Sequence, residues 1–304
     1  MSNPPRFVHL RLHTEYSLVD GLTDVKSLIK RCVALGLPAV AVTDQSNLFA
    51  LVKFYKAAQE AGIKAIAGAD IHLQNPLDPE SPHALTLLVQ NDQGYRHLTE
   101  LISRAYQENQ HLGIPRIKPE WLSELNTGLI ALSGGRTGDV GVALLAGHLT
   151  EAKRLLTAWI GIFGDRFYLE LQRTGRPGEA EYIERAVQLA VELDVPVVAT
   201  NDVRFLDSSD FEAHEARVCI NQGRILDDPD RPRLYSDQQF FRSAEDMAEL
   251  FADLPESLEN SVEIARRCTL DLTLGKNFLP NFPVPEGMTT EDFFAGESRR
   301  GLQK

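Results

Sequence analysis

The chain has 304 residues, 43% of them hydrophobic and 24% charged, with a net charge of −12. This is the composition of a globular protein with room for one barrel-sized domain or two ordinary ones, and the acidic balance excludes a self-sufficient nucleic-acid binder, which needs a clustered basic surface. Cys32, Cys219 and Cys268 are far apart, which excludes a disulfide framework or a thiolate zinc site, and neither a membrane-length apolar run nor a signal-peptide core is present, so a cytoplasmic protein is expected.

Residues 7–12 are an apolar-rich run whose alternation is broken only at Leu10, and they read as a mostly buried strand. The run ends in His13, Thr14, Glu15, Ser17, Asp20 and Gly21. A buried strand that delivers a histidine and a carboxylate into a turn is one way α/β proteins build a metal or phosphate site. Val25, Leu28, Ile29, Cys32 and Val33 then recur at helical spacing, with Asp24 as N-cap and Gly36 as the stop. A strand over 38–43 ends in Asp44-Gln45-Ser46-Asn47, and Asn47 is placed to cap a helix over 48–61 that buries Leu48, Leu51, Val52 and Tyr55. A third strand covers 64–73, with Asp70 inside it. Only about ten residues separate it from a fourth at 84–89, too few for a parallel crossover, so this pair is expected to be antiparallel. That would put His83 on the rim where the third strand ends.

Further on, the pattern predicts a helix over 92–108, a strand over 128–133 and two helices over 139–163 broken near Gly147. A strand over 166–172, a helix over 178–193, a strand over 196–200 and a helix from 211 follow. Seven strands mostly alternating with helices argue for a largely parallel sheet, open or closed. Polar residues gather where strands end, as they do on the upper rim of a barrel, and no G-x-G-x-x-G fingerprint supports a dinucleotide site. Residues 221–275 read as a helical appendage, with Ser243 as N-cap and Asp246 at N3 of one helix. Residues 276–288 read as a proline-rich linker, and 289–304 as the start of a further helical domain.

The ordered pieces HLRLHTEYSLVDG (9–21), TDQSNL (43–48), GAD (68–70), PHALTLL (82–88), ALSGG (131–135), LELQRTG (169–175) and TNDVRF (200–205) resemble the polymerase-and-histidinol-phosphatase (PHP) domain family. More narrowly, they are similar to the PHP domains at the N-terminus of the α subunit of bacterial replicative, C-family DNA polymerase III. The resemblance implies a distorted (βα)7 TIM-like barrel and, in active members, three divalent metals held by histidines, carboxylates and one cysteine. Such metals polarise a phosphoryl oxygen and supply hydroxide.

Measured against that pattern, His13, Asp20, Asp70, His83 and Asp202 remain at ligand positions, while Arg11, Gln45, Gly135 and Arg204 stand where ligands are lost. Five ligands cannot serve three ions, so at most one weakly bound divalent metal (Mn, Zn or Mg) is expected, and no catalytic residue is assigned. Arg11 and Arg204 are expected to offset the carboxylates in its place, or to contact phosphate.

The reading that follows is a scaffold within the replicative polymerase α subunit. Its partners would be its own polymerase domain, the proofreading 3′–5′ exonuclease (ε) subunit and the replisome, with DNA met only through the parent polymerase and no membrane involved. DNA synthesis would belong to residues beyond Lys304. The alternative is residual metal-dependent phosphoesterase or pyrophosphatase activity at the rim.

Overall fold

A computed structural model describes residues 7–277, 279 and 282–303. The chain divides into two compact units, the first ending at Leu270 and the second starting at Asp271. Of the expected linker, Phe278, Pro280 and Asn281 lie outside the described residues, as does Lys304 at the end of the expected further domain.

The first unit is built on a six-stranded mixed sheet. Its strands are β1 (Ala39–Val42), β2 (Lys64–Leu73), β3 (His83–Val89), β6 (Leu129–Leu132), β7 (Phe167–Gln172) and β8 (Val197–Thr200), adjacent in that order. A small hairpin of β4 (Gln110–His111) and β5 (Ile114–Pro115), which the sequence did not announce, stands apart. As the short connection required, β3 is antiparallel to β2, and it is antiparallel to β6 as well. The remaining neighbours, β1–β2, β6–β7 and β7–β8, are parallel.

The helices are α1 (Val25–Ala34), α2 (Leu51–Glu60), α3 (Asp92–Glu108), α4 (Pro119–Glu124), α5 (Asp139–Leu145), α6 (Leu149–Phe163), α7 (Glu179–Leu193), α8 (Phe211–Gln222), α9 (Ala244–Leu250) and α10 (Pro255–Arg267). The second unit carries α11 (Thr290–Leu302), capped by the Thr289 side chain. Asp24 caps α1, and Ser243 with Asp246 forms a capping box on α9, as expected. Two expectations need correction. Asn47 does not cap α2, which begins four residues later. Its amide instead donates to the carbonyls of Tyr16 and Gln45, and its oxygen accepts from Phe49 N. Val33 and Val52 face solvent, because the buried stripe of each helix runs through its neighbours, Cys32 in α1 and Phe54 and Tyr55 in α2.

Residues 7–12 also depart from the expected regular strand. They lie between the two edges of the sheet, touching β1 through a parallel bridge of His9 to Val40 and the chain beyond β8 through one of Leu12 to Val203. Backbone bonds from Ala41 N to His9 O and from His13 N to Val203 O hold both sides. The reason for the irregularity is a slip in alternation. Val8 and Leu10 join the apolar interior with Ala41, Ile66 and Val198, whereas Leu12 packs outward with the α1 and α2 layer. Arg11 and His13 therefore turn inward directly after Leu10, as at a β-bulge.

The interior is thus layered. An apolar floor includes Val8, Leu10, Ile66, Ile130, Tyr168 and Val198, and the α10 residues Val262, Ile264 and Ala265 belong to the same cluster. Ser261 Oγ of α10 accepts from Val8 N at 3.0 Å. Within the expected helical appendage, α10 thus packs its apolar side into the core. On the same face, two residues along β7 from Tyr168 and four along β2 from Ile66, with Gly68 between, the interior positions become the charged Glu170 and Asp70.

Candidate functional site

The upper interior is an ion-pair network. Arg11 Nε donates to Asp70 Oδ2 at 2.7 Å and lies 3.3 Å from Asp202 Oδ1, and its Nη1 reaches both oxygens of Glu170 at 3.2–3.3 Å. His13 sits between two carboxylates, with Nδ1 2.7 Å from Asp20 Oδ1 and Nε2 2.9 Å from Asp70 Oδ2. Arg204 bridges Asp202 Oδ1 at 2.5 Å and Asp20 Oδ2 at 3.1 Å. Asp202 is held at a positive φ of 48°, the left-handed region that aspartate tolerates better than most side chains.

Several participants were not picked out from the sequence. Glu170 projects from the middle of β7, fully buried, and accepts from Thr200 Oγ1 and Gln172 Nε2 as well as Arg11. Arg176, in the loop after β7, donates to Asp202 Oδ2 at 2.8 Å, Glu179 Oε1 at 3.0 Å and Gln172 Oε1 at 2.7 Å. Gln239 donates to Asp202 Oδ2, and Tyr235 OH donates to Asp20 Oδ2 at 2.9 Å. A lone acidic residue inside the apolar run FYLELQ was the available signal for Glu170. Nothing local marks Tyr235 or Gln239, which arrive from a segment more than 200 residues away from Asp20 or some 37 from Asp202.

The other expected positions are not gathered in. His83 pairs with Leu73, one residue out of phase with the Thr86–Asp70 pair, so it faces the other side of β3, and the charge it feels is that of Asp139. Gln45 lies at the edge, its amide donating to the backbone carbonyl of Asp70. Gly135 has a φ of +59°, and a Cβ there would stand 3.2 Å from Gln172 Oε1. Asp44 is turned to the N–H and hydroxyl of Thr14.

Electrostatics follow the geometry. Burial opposes charge on His13, but Asp20 and Asp70 prevail and lift its pKa well above the ordinary value, which favours the imidazolium form. Burial likewise opposes the charge on Asp70, yet Arg11 and His13 bring its pKa down to about 2. Asp20 is lowered against its own burial by His13. At Glu170, burial outweighs Arg11 and the pKa is raised.

Four cationic groups, Arg11, His13, Arg176 and Arg204, thus face the four carboxylates of Asp20, Asp70, Glu170 and Asp202. Among the described residues no three His, Cys, Asp or Glu side chains are disposed to hold a metal ion. The donor set does not fit one: both nitrogens of His13 and both oxygens of Asp70 and Asp202 are engaged, and a cation would have to displace a guanidinium.

The family model described as PHP domain matches residues 9–174. DNA polymerase III subunit alpha of Pseudomonas fluorescens is 56% identical over 302 residues, covering 99% of this chain and 26% of the relative. The protein of that name from Escherichia coli (strain K12) is 53% identical over 300 residues, covering 99% and 26%. The chain therefore spans about a quarter of the length of these relatives. Among solved structures, a putative metal-dependent phosphoesterase from Bifidobacterium adolescentis aligns with a TM-score of 0.46 at 13% identity, covering 66% of this chain and 88% of that one. An amidohydrolase from Chromobacterium violaceum aligns at 0.48 and 12% identity, covering 69% and 96%.

Proposed function

This chain belongs to the PHP domain family, and from that premise we propose that it is the metal-free PHP scaffold of a replicative DNA polymerase III α subunit. In this reading it supports the polymerase body of the full chain and docks the proofreading 3′–5′ exonuclease (ε) subunit in DNA replication. The observation that carries it is the pairing of Arg11, His13, Arg176 and Arg204 with the carboxylates around them. In a phosphoesterase those carboxylates would hold metals, and the metals would supply the Lewis acid and the nucleophile. Here guanidiniums and an imidazolium neutralise them through charge-assisted hydrogen bonds, which keeps the rim rigid and disfavours an incoming cation.

A buried ion-pair network of this kind adds little net stability over an apolar core, but removing one partner from it is severe. The role assigned to it is therefore to fix the barrel mouth in one arrangement. Elemental analysis after purification without chelator, with phosphoester and pyrophosphate hydrolysis measured with and without manganese, tests the reading. No bound metal and no turnover, together with binding to the exonuclease subunit, is the expected result. Stoichiometric metal with turnover lost in Asp202→Ala would replace it with the residual-enzyme reading, and absence of exonuclease binding would remove the docking role.

A further inference from the structure

Residues 223–243 join α8 to α9 without a helix or strand of their own. Connections this long are uncommon in a compact domain and tend to carry function. The inner side of this one meets the network. Tyr235 OH donates to Asp20 Oδ2 at 2.9 Å, Gln239 Nε2 to Asp202 Oδ2 at 2.8 Å, and Ser236 Oγ to the Thr174 carbonyl. In return Arg204 N donates to Gln239 O at 2.9 Å, and Asn201 Nδ2 to the carbonyls of Gln238 and Phe240.

These contacts are all hydrogen bonds. From 224 to 240 only Arg231 and Gln239 are buried, and both are polar, while Ile225 and Leu234 are 70% and 52% exposed. The anchor is an ion pair to α8, in which Arg231 Nη1 donates to Glu215 Oε2 with both side chains buried. Beside it, His214 of α8 stands edge-on to the Tyr235 ring, 4.7 Å between centroids, with its Nε2 3.0 Å from the Asp20 carbonyl. A segment held this way trades protein hydrogen bonds for bonds to water when it lifts, and it uncovers little apolar surface. The barrel beneath is closed by the apolar floor of Val8, Ile66, Tyr168 and Val198, which cannot part without exposing it.

We propose that residues 224–240 are a strap that opens as one unit over the ion-pair network, with Glu215 and Arg231 as its clasp. Opening withdraws Tyr235 from Asp20 and Gln239 from Asp202. Those carboxylates are left to His13, Arg204 and Arg176, and the pairs of Arg11 with Asp70 and Glu170 stay made. Access of solvent to the network is then set by the strap and not by the strands. The device goes beyond the scaffold reading and does not depend on exonuclease docking.

Native-state hydrogen exchange of the chain, followed by NMR in urea below the unfolding transition, tests this. The reporter under the strap is Arg204 N, bonded to Gln239 O; those in the barrel are Ala41 N, bonded to His9 O, and Leu169 N, bonded to Pro196 O. Arg204 should be protected about tenfold less or weaker still than the other two, with almost no dependence on urea. Ile264→Ala, which weakens the barrel core, should speed Ala41 and Leu169 and leave Arg204 unchanged. Arg231→Gln should speed Arg204 about tenfold or more. Tyr235→Phe, which removes only the bond to Asp20, should speed it by less. Equal protection and equal urea slope for all three amides overturn the proposal, and so does an Arg204 that follows Ala41 in Ile264→Ala. An Arg204 unmoved by Arg231→Gln overturns the clasp. The comparison of amides in the unsubstituted chain stands whether or not any variant folds.

Discussion

Arg11 is the residue on which the rim depends most, because one guanidinium serves Asp70, Glu170 and Asp202. Replacing it with alanine leaves buried Glu170 without its cation and takes one partner from each of Asp70 and Asp202, and the expected loss is about 3–5 kcal/mol, read as a fall in the urea midpoint. Glycine at 135 poses a different problem. Its positive φ makes Gly135→Cys, the substitution that would restore the family's thiolate, cost about 1–2 kcal/mol. Zinc titration of that variant is expected to recover none of the loss, since no neighbouring ligand is free. The charged residues at strand ends were legible in the sequence, and so was the expectation that Arg11 and Arg204 offset the carboxylates, because arginines stood where the family has ligands. What could not be read was which carboxylate each arginine takes. That depends on Glu170, Tyr235 and Gln239, whose positions are set by sheet register and by a distant loop rather than by local pattern.

At the scale of elements, the antiparallel β2–β3 pair was legible because connection length alone forbids a parallel crossover. The role of α10 was not, since an amphipathic helix carries no label for the surface it buries. Ile264, fully buried in that helix among the floor residues, is the direct probe. Ile264→Ala should destabilise the protein by about 2–5 kcal/mol in chemical denaturation, as for a core cavity. A change below about 0.5 kcal/mol, the range of ordinary surface substitutions, would mean that the helix merely rests on the barrel.

For the whole molecule the network predicts how stability follows pH. Asp70 at about 2, against an ordinary 3.8, and the lowered Asp20 contribute stability that is present above the unfolded value and lost as pH falls through the folded one. His13, raised well above 6.5, contributes in the opposite sense: its share is complete below 6.5 and disappears only as pH rises through the folded value. The urea midpoint should therefore hold between about pH 4 and 6.5, decline below about pH 4 and decline separately as pH rises above about 6.5. A decline already visible between about pH 7 and 5 would show that His13 is buried neutral. The run of residues 7–14 has one more consequence. By lying along β1 on one side and the chain after β8 on the other, it covers the unpaired backbone groups at both ends of the sheet. Removing it would uncover two sticky margins at once, each ready to recruit a strand from another molecule, and such a truncation should appear as self-association in light scattering well before secondary structure is lost.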